Sequence, residues 1–264
     1  MQEYKDKIEF GFRDWGQVLN VGEFIEEIKK TLDPSEYNSE NSRLVFSVCS
    51  DDCNRLAERE TIEKALTKTY GREFHLGGLA GYPVGGVSGI IAASHHVPDI
   101  ICTESQQIRK GNLIFFISPH IGMIKKQDFY YGRLVRSCQE SPTGCCGAMM
   151  GFLSALKQTR NIDNFNIAYE DKNLDPTRVI LHDALINEYP DQLNNILAMD
   201  DVNSQIIKLT MINHDLISEK ISIMIDEFLK REKASFQGKI GFITGITVNC
   251  SNRDYFVLKE VRSK

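Results

Sequence analysis

The chain has 264 residues, with 31 basic and 36 acidic side chains, a formal net charge of −5 and 42% hydrophobic residues. That balance excludes a disordered or collagen-like chain and a nucleic-acid binder that works through bulk positive charge. No apolar run approaches the roughly 20 residues of a membrane span, and a chain of this size buries roughly 75% of its unfolded surface without disulfide support. The stretch from Met1 to Phe10 has neither an apolar signal core nor a small-residue cleavage site, which predicts a cytoplasmic protein. In that compartment the seven cysteines are thiols, and each is a buried small hydrophobe, a metal ligand or a nucleophile.

Residues 1–42 read as a polar, helical N-terminal segment, in which Phe24, Ile25, Ile28 and Leu32 are spaced for one buried helix face. A loop rich in Ser, Asn, Glu and Pro spans Asp33 to Ser42. Arg43 to Cys49 is a β-branched and aromatic run, the pattern of a buried strand. Ser50, Asp51 and Asp52 then offer helix caps, and Asn54 to Tyr70 carries helical periodicity through Leu56, Ile62 and Leu66, closed by Gly71. Seven of the 19 glycines fall between Gly71 and Gly89. Leu113 to Ile117 is a second buried strand and Phe129 to Ser137 alternates like a third. Residues 144–157 form an apolar helix rich in small side chains. Helical stretches at roughly 175–198 and 201–232 lead to a closing strand pair, Ile240 to Val248 and Tyr255 to Val261. The alternation predicts an α/β fold with a central sheet flanked by helices. One domain over 1–264 is expected, divided into the N-terminal segment 1–42, a core at 43–157 and helices with closing strands at 158–264.

Four segments carry groups that could do chemistry. Cys49 to Arg55 lies where a strand gives way to a helix, the usual place for sites in α/β sheets, and a thiolate there is favoured by the helix's positive end. The plainer alternative makes Cys49 a strand residue and Asp51 or Asp52 a cap. His75 to Gly89 has the glycine density for close backbone approach, but neither a Gly-Lys-Ser/Thr ending nor a GxGxxG opening, so it is not a phosphate loop. His95 and His96 follow it, either as surface residues or as proton carriers near neutral pH. His120 stands just past a buried strand, fixed by Pro119, and Cys145 and Cys146 open the apolar helix, where unpaired N–H groups favour thiolate. Two thiols and an imidazole at such positions suit a zinc site with one open coordination position. They equally suit a hydrolase with a cysteine nucleophile.

Taken in series, Cys49 to Arg55 (CSDDCNR), His75 to Gly89 (HLGGLAGYPVGGVSG), His95 to Asp99 (HHVPD), Ser118 to Gly122 (SPHIG) and Cys145 to Ala148 (CCGA) resemble the low-CO2-inducible protein B family of algae and bacteria. That family is grouped with the θ-type carbonic anhydrases and is similar in site plan to the β-type. The resemblance runs from about residue 43 to 157. It implies zinc held by Cys49, His120 and Cys146, with Cys145 as the alternative register, and a dyad of Asp51 with Arg55. It further implies reversible hydration of CO2 to bicarbonate by a homodimer, with Asp51 accepting a hydrogen bond from the attacking oxygen and Arg55 keeping Asp51 ionised. Tyr82 and Phe115 are expected to shape the CO2 pocket and His95 or His96 to carry the product proton to buffer. Cys53 stands where the family pattern has no thiol. A relative that binds zinc or inorganic carbon as a partner subunit or sensor, with little turnover, is the other reading the resemblance leaves.

Overall fold

In the computed structural model, residues 2–55, 59–101, 108–136, 139–159, 162–165, 172–232 and 235–264 are described. The chain opens with α1 (Gln2–Gly11), β1 (Gln17–Asn20), α2 (Val21–Lys29) and β2 (Ser42–Val48). It continues through α3 (Ile62–Tyr70), β3 (Glu73–His75), α4 (Gly86–His95), β4 (Asp99–Ile101), β5 (Ile108–Lys110), β6 (Asn112–Ser118) and β7 (His120–Lys125). Next come β8 (Phe129–Tyr131), β9 (Arg133–Leu134), β10 (Thr143–Gly144), α5 (Gly147–Thr159), α6 (Pro176–Glu188), α7 (Pro190–Leu197) and α8 (Val202–Arg231). The closing hairpin is β11 (Ile240–Cys250) with β12 (Asp254–Ser263).

One mixed sheet runs in the order β1-β12-β11-β6-β2-β3, with β7 and β8 branching from β11. Strands β3, β2, β6 and the first half of β11 are mutually parallel, while β12 and β1 are antiparallel additions. Side chains alternate between two packed layers, as a sheet covered on both faces requires. Leu44, Phe46, Ile114 and Phe116 face a layer that includes Phe24 and Ile28 of α2 and Leu66 of α3. Val45, Leu113, Phe115 and Ile117 face Ile90 of α4 and Ile217, Ile221 and Phe228 of α8. The sequence therefore reads correctly as α/β with helices on both faces. Among the described residues, no helix is long and apolar enough to cross a membrane.

Several local expectations change. Segment 1–42 contributes β1, which pairs antiparallel with β12, so it is part of the sheet as well as helical. The expected helix from Asn54 shrinks to one short 3-10 turn, Asp52–Asn54, with Asp51 as its cap, and α3 begins only at Ile62 behind Thr61. Leu56 lies outside the described residues. Gly71 does terminate α3, at φ +94°, a conformation that favours glycine. The third strand breaks at Gly132 into β8 and β9; Ser137 lies outside the described residues. The stretch 175–198 divides into α6 and α7 at Pro190, which has no N–H to continue a helix.

Candidate metal centre

Strand β2 ends at Val48 and hands Cys49 to a loop at the carboxyl end of the parallel strands, where open α/β sheets place their sites. Gly77 makes that loop feasible: a Cβ there would lie 2.2 Å from the Val48 carbonyl oxygen, so the glycine block packs directly on the end of β2. Strand β6 is interrupted by Pro119, and β7 resumes at once with His120 opposite Thr247 of β11. The Pro119 carbonyl accepts from the Thr247 N–H at 3.0 Å, which holds the interruption in register. Gly122 brings the third segment in: its N–H donates to the Cys145 carbonyl at 2.8 Å, and a Cβ there would strike the Cys145 side chain at 2.8 Å.

These elements converge on His120, which is buried. Cys49, His120 and Cys146 offer donor atoms all within 4.8 Å of one another, and the Cys49 and Cys146 sulfurs are 3.5 Å apart. The doubled cysteine divides between two pairs: Cys146 faces Cys49, while Cys145 faces Cys53 at 3.6 Å. Asp51, Cys53, His120 and Cys145 form a second group within the same 4.8 Å limit. The His120 Nδ1 hydrogen-bonds to Asn249 Oδ1 at 2.7 Å. Its Nε2 is buried without a hydrogen-bond partner and lies 4.0 Å from Asp51 Oδ2. A buried ring nitrogen without a hydrogen-bond partner, on a histidine grouped with two thiols, is an arrangement able to hold a metal ion. The donor set of two sulfurs and one imidazole is the kind that zinc takes, so the residues present fit that ion.

Electrostatics support thiolate character at this position. The S–H contact from Cys146 drives the Cys49 thiol down against the effect of burial, and His120 adds to it. Burial disfavours charge on His120, yet the four surrounding sulfurs outweigh it and raise its pKa. Asp51 is opposed by burial as well, but His120, Arg136 and the Cys53 N–H bring it down to about 2. Asp51 is therefore an ionised acceptor at any ordinary pH.

The partner of Asp51 is not the residue expected. Arg136, from the segment after β9, donates to Asp51 Oδ2 at 2.7 Å and reaches Asp52 Oδ1 at 3.4 Å. It also bonds to Thr143 Oγ1 and, at 3.3 Å, to the Gly144 carbonyl, which fixes the guanidinium from the far side. Arg55 instead points to Glu63, with Nε 3.5 Å from Oε2 and without hydrogen-bond alignment. The reason is local: with a 3-10 turn in place of a helix after Asp51, Arg55 ends that turn and faces α3. Tyr82 packs in the same apolar cluster as Cys49, Cys146 and Met149. Phe115 lies in the other layer, stacked on Phe242 at 5.8 Å, and does not line the site. His95 and His96 end α4; both are exposed, and His96 meets Phe74 edge-on at 6.0 Å rather than any residue of the centre.

Behind His120 lies a network that the motifs did not indicate. Asn249 Nδ2 donates to Asp254 Oδ1 at 3.0 Å and to Asn54 Oδ1 at 3.3 Å. Asp254 is paired with Arg59 at 3.1 Å and accepts from the Ile62 N–H at 3.2 Å. Arg59 also donates to the carbonyls of Cys53 and Cys250. A buried asparagine needs a partner, but β11 also holds Thr244 and Thr247, so Asn249 does not stand out in the sequence. A cavity of about 1150 Å³ lies elsewhere, between α1, β8 and α8.

The family model for limiting CO2-inducible proteins B/C, beta carbonic anhydrases, matches residues 18–263. No curated protein matches the sequence. The fold is that of two solved structures. One is PtLCIB4, a homolog of the limiting CO2-inducible protein LCIB: TM-score 0.74 at 23% identity, covering 97% of this chain and 94% of that one. The other is LCIB itself: TM-score 0.64 at 16% identity, covering 93% and 89%. With the family match extending over nearly the whole sequence, the chain belongs to the limiting CO2-inducible protein B/C family of beta carbonic anhydrases.

Proposed function

We propose that the chain is a zinc-dependent carbonic anhydrase that interconverts CO2 and bicarbonate, with Cys49, His120 through Nε2, and Cys146 holding the metal. The observation that carries this reading is the orphaned, buried Nε2 of His120 beside the Cys49–Cys146 pair. Zinc in such a site supplies Lewis-acid activation of water at neutral pH. The remaining work falls to the chain. Asp51, kept ionised and anchored by Arg136, would accept a hydrogen bond from the attacking oxygen and so aim its lone pair at the carbon of CO2. Arg136 holds Asp51 Oδ2 at 2.7 Å, the same oxygen that lies 4.0 Å from His120 Nε2, and so fixes the carboxylate beside the ligands. Tyr82 and Met149, in the apolar cluster around Cys49 and Cys146, give an uncharged substrate a dry approach. The active species proposed is a cytoplasmic homodimer, and a solution mass of one chain at micromolar concentration would remove the dimer.

The test is stopped-flow CO2 hydration on metal-quantified protein, before and after chelation. One zinc per chain with chelator-sensitive hydration supports the reading. Zinc without hydration replaces it with a relative that binds metal as a partner subunit or sensor. Hydrolytic activity that survives chelation and is lost on alkylation would replace it with a cysteine hydrolase.

A further inference from the structure

His120 stands between two thiol pairs, and geometry alone does not choose between them. Tetrahedral zinc with sulfur at about 2.3 Å and imidazole nitrogen at about 2.0–2.1 Å requires S···S edges of about 3.8 Å and S···N edges of about 3.6 Å. Cys53 and Cys145 lie 3.6 Å apart and 3.3 and 3.5 Å from Nδ1, close to that pattern. Cys49 and Cys146 lie 3.5 Å apart and form their own group with His120 within 4.8 Å. What separates the two faces is the position of the single proton on a neutral imidazole, because only the nitrogen without it has a lone pair for a metal.

That position is set by Asn249. The Asp254 carboxylate accepts from its Nδ2, and so does the Asn54 amide oxygen. Asn54 is oriented in turn, since its own Nδ2 donates to the Cys49 carbonyl at 3.3 Å. Asp254 is held by Arg59 and by the Ile62 N–H. With both acceptors on one side, the Asn249 amide has one consistent orientation, and its oxygen faces His120 at 2.7 Å. An amide oxygen only accepts, so Nδ1 carries the hydrogen and Nε2 carries the lone pair. The thiols of Cys53 and Cys145 lie 3.4 and 3.8 Å from the same oxygen and can donate to it as well.

We propose that Asn249 is the positioning residue that assigns the metal to the Cys49–Cys146 face of His120 and denies it the Cys53–Cys145 face. The inference rests on the zinc-site reading above and adds what selects between two similar sets of donors. Removing the amide frees the imidazole to place its proton on either nitrogen, and the metal then divides between the faces.

Two measurements test it, neither of them catalytic. The first is zinc affinity by chelator competition. Asn249→Ala is expected to weaken binding roughly 10–100-fold, the range for losing a hydrogen bond to a ligating imidazole. Combined with Cys49→Ser and Cys146→Ser, it is expected to restore stoichiometric zinc that the serine pair alone lacks. Unchanged affinity in Asn249→Ala, or no restoration in the triple variant, overturns the proposal. The second needs no variant: ¹⁵N NMR of the zinc-loaded natural chain should show a proton bonded to Nδ1 of His120. A bare Nδ1 in zinc-loaded protein overturns this inference while leaving the zinc reading intact, whereas a natural chain that takes up no zinc overturns both.

Discussion

The two thiol pairs around His120 are nearly identical in composition and spacing, 3.5 Å and 3.6 Å, and differ in what surrounds them. The Cys49–Cys146 pair packs in the apolar cluster of Tyr82 and Met149, and the unpartnered Nε2 of His120 lies 4.0 Å from the Asp51 carboxylate. The Cys53–Cys145 pair is sealed by Leu134 on the apolar side and by the Asn249 oxygen on the polar side. The difference teaches that donor atoms at ligand distance do not by themselves make a metal site. An available lone pair and an opening toward substrate separate a reactive face from a structural one.

The sharpest break of this comparison is to exchange sulfurs one face at a time. Cys49→Ser or Cys146→Ser is expected to abolish stoichiometric zinc, a loss beyond the roughly 10–100-fold typical of an outer hydrogen-bond partner. Cys53→Ala and Cys145→Ala should retain one zinc per chain by metal analysis. Loss of zinc from the second set alone would reverse the assignment of faces. Next in size is the Asp51–Arg136 ion pair. Asp51→Ala and Arg136→Ala should keep zinc and lower kcat/KM by about 10²–10⁴, the range of a positioned acid–base group. Arg55→Ala should leave the rate within about twofold, because that side chain faces Glu63. A full loss in Arg55→Ala with none in Arg136→Ala would restore the dyad expected from the motif.

The sealed face should answer in stability rather than rate. Arg59 and Asp254 are both buried, and Arg59→Ala leaves an uncompensated carboxylate, which costs about 3–5 kcal/mol in denaturant unfolding. The smallest effect is the pH dependence contributed by Glu63. Burial pushes its carboxyl up to about 8, against the pull of Arg55 and with Asp254 adding to the rise. The native state therefore holds a proton that the unfolded chain releases above its ordinary value of 4.5. Stability from this group is full below that value and is lost as the pH rises through about 8. Glu63→Gln should flatten the decline, read as denaturation midpoints on either side of the window, and an unchanged slope would assign the decline to another group.

Much of the candidate centre was legible because the residues proposed as ligands sit in compact motifs. Cys49 and Asp51 come from one heptapeptide, His120 from the turn after Pro119, and Cys146 from a doubled cysteine whose register sequence alone left open. The sheet was legible too, since Leu113 to Ile117 is a continuous apolar run and Ile240 to Val248 is rich in β-branched and aromatic residues. What sequence did not show depends on distant contact. Arg136 reaches Asp51 across 85 residues and Asn249 reaches His120 across 129, and neither stands in a run that marks it. Arg55 was the nearer guanidinium in sequence, but a short 3-10 turn rather than a helix set its direction. The pairing of β1 with β12 was hidden for the same reason, because a four-residue strand at the N-terminus gains its partner only from the other end of the chain.

The β11–β12 hairpin carries a consequence for how the protein is made. Strand β11 lies between β6 and β12 at the centre of the sheet, also pairs with β7, and brings Asn249 directly opposite Asp254. Every ligand of the centre leaves the ribosome about a hundred residues before that hairpin does, and synthesis runs at about 5–20 residues per second. A nascent chain thus has all three donors but neither the strand that aligns His120 nor the amide that orients its ring. If the proposed zinc site holds, metal acquisition follows translation, and a chain truncated within β11 should emerge as an apoprotein that no supply of zinc can rescue.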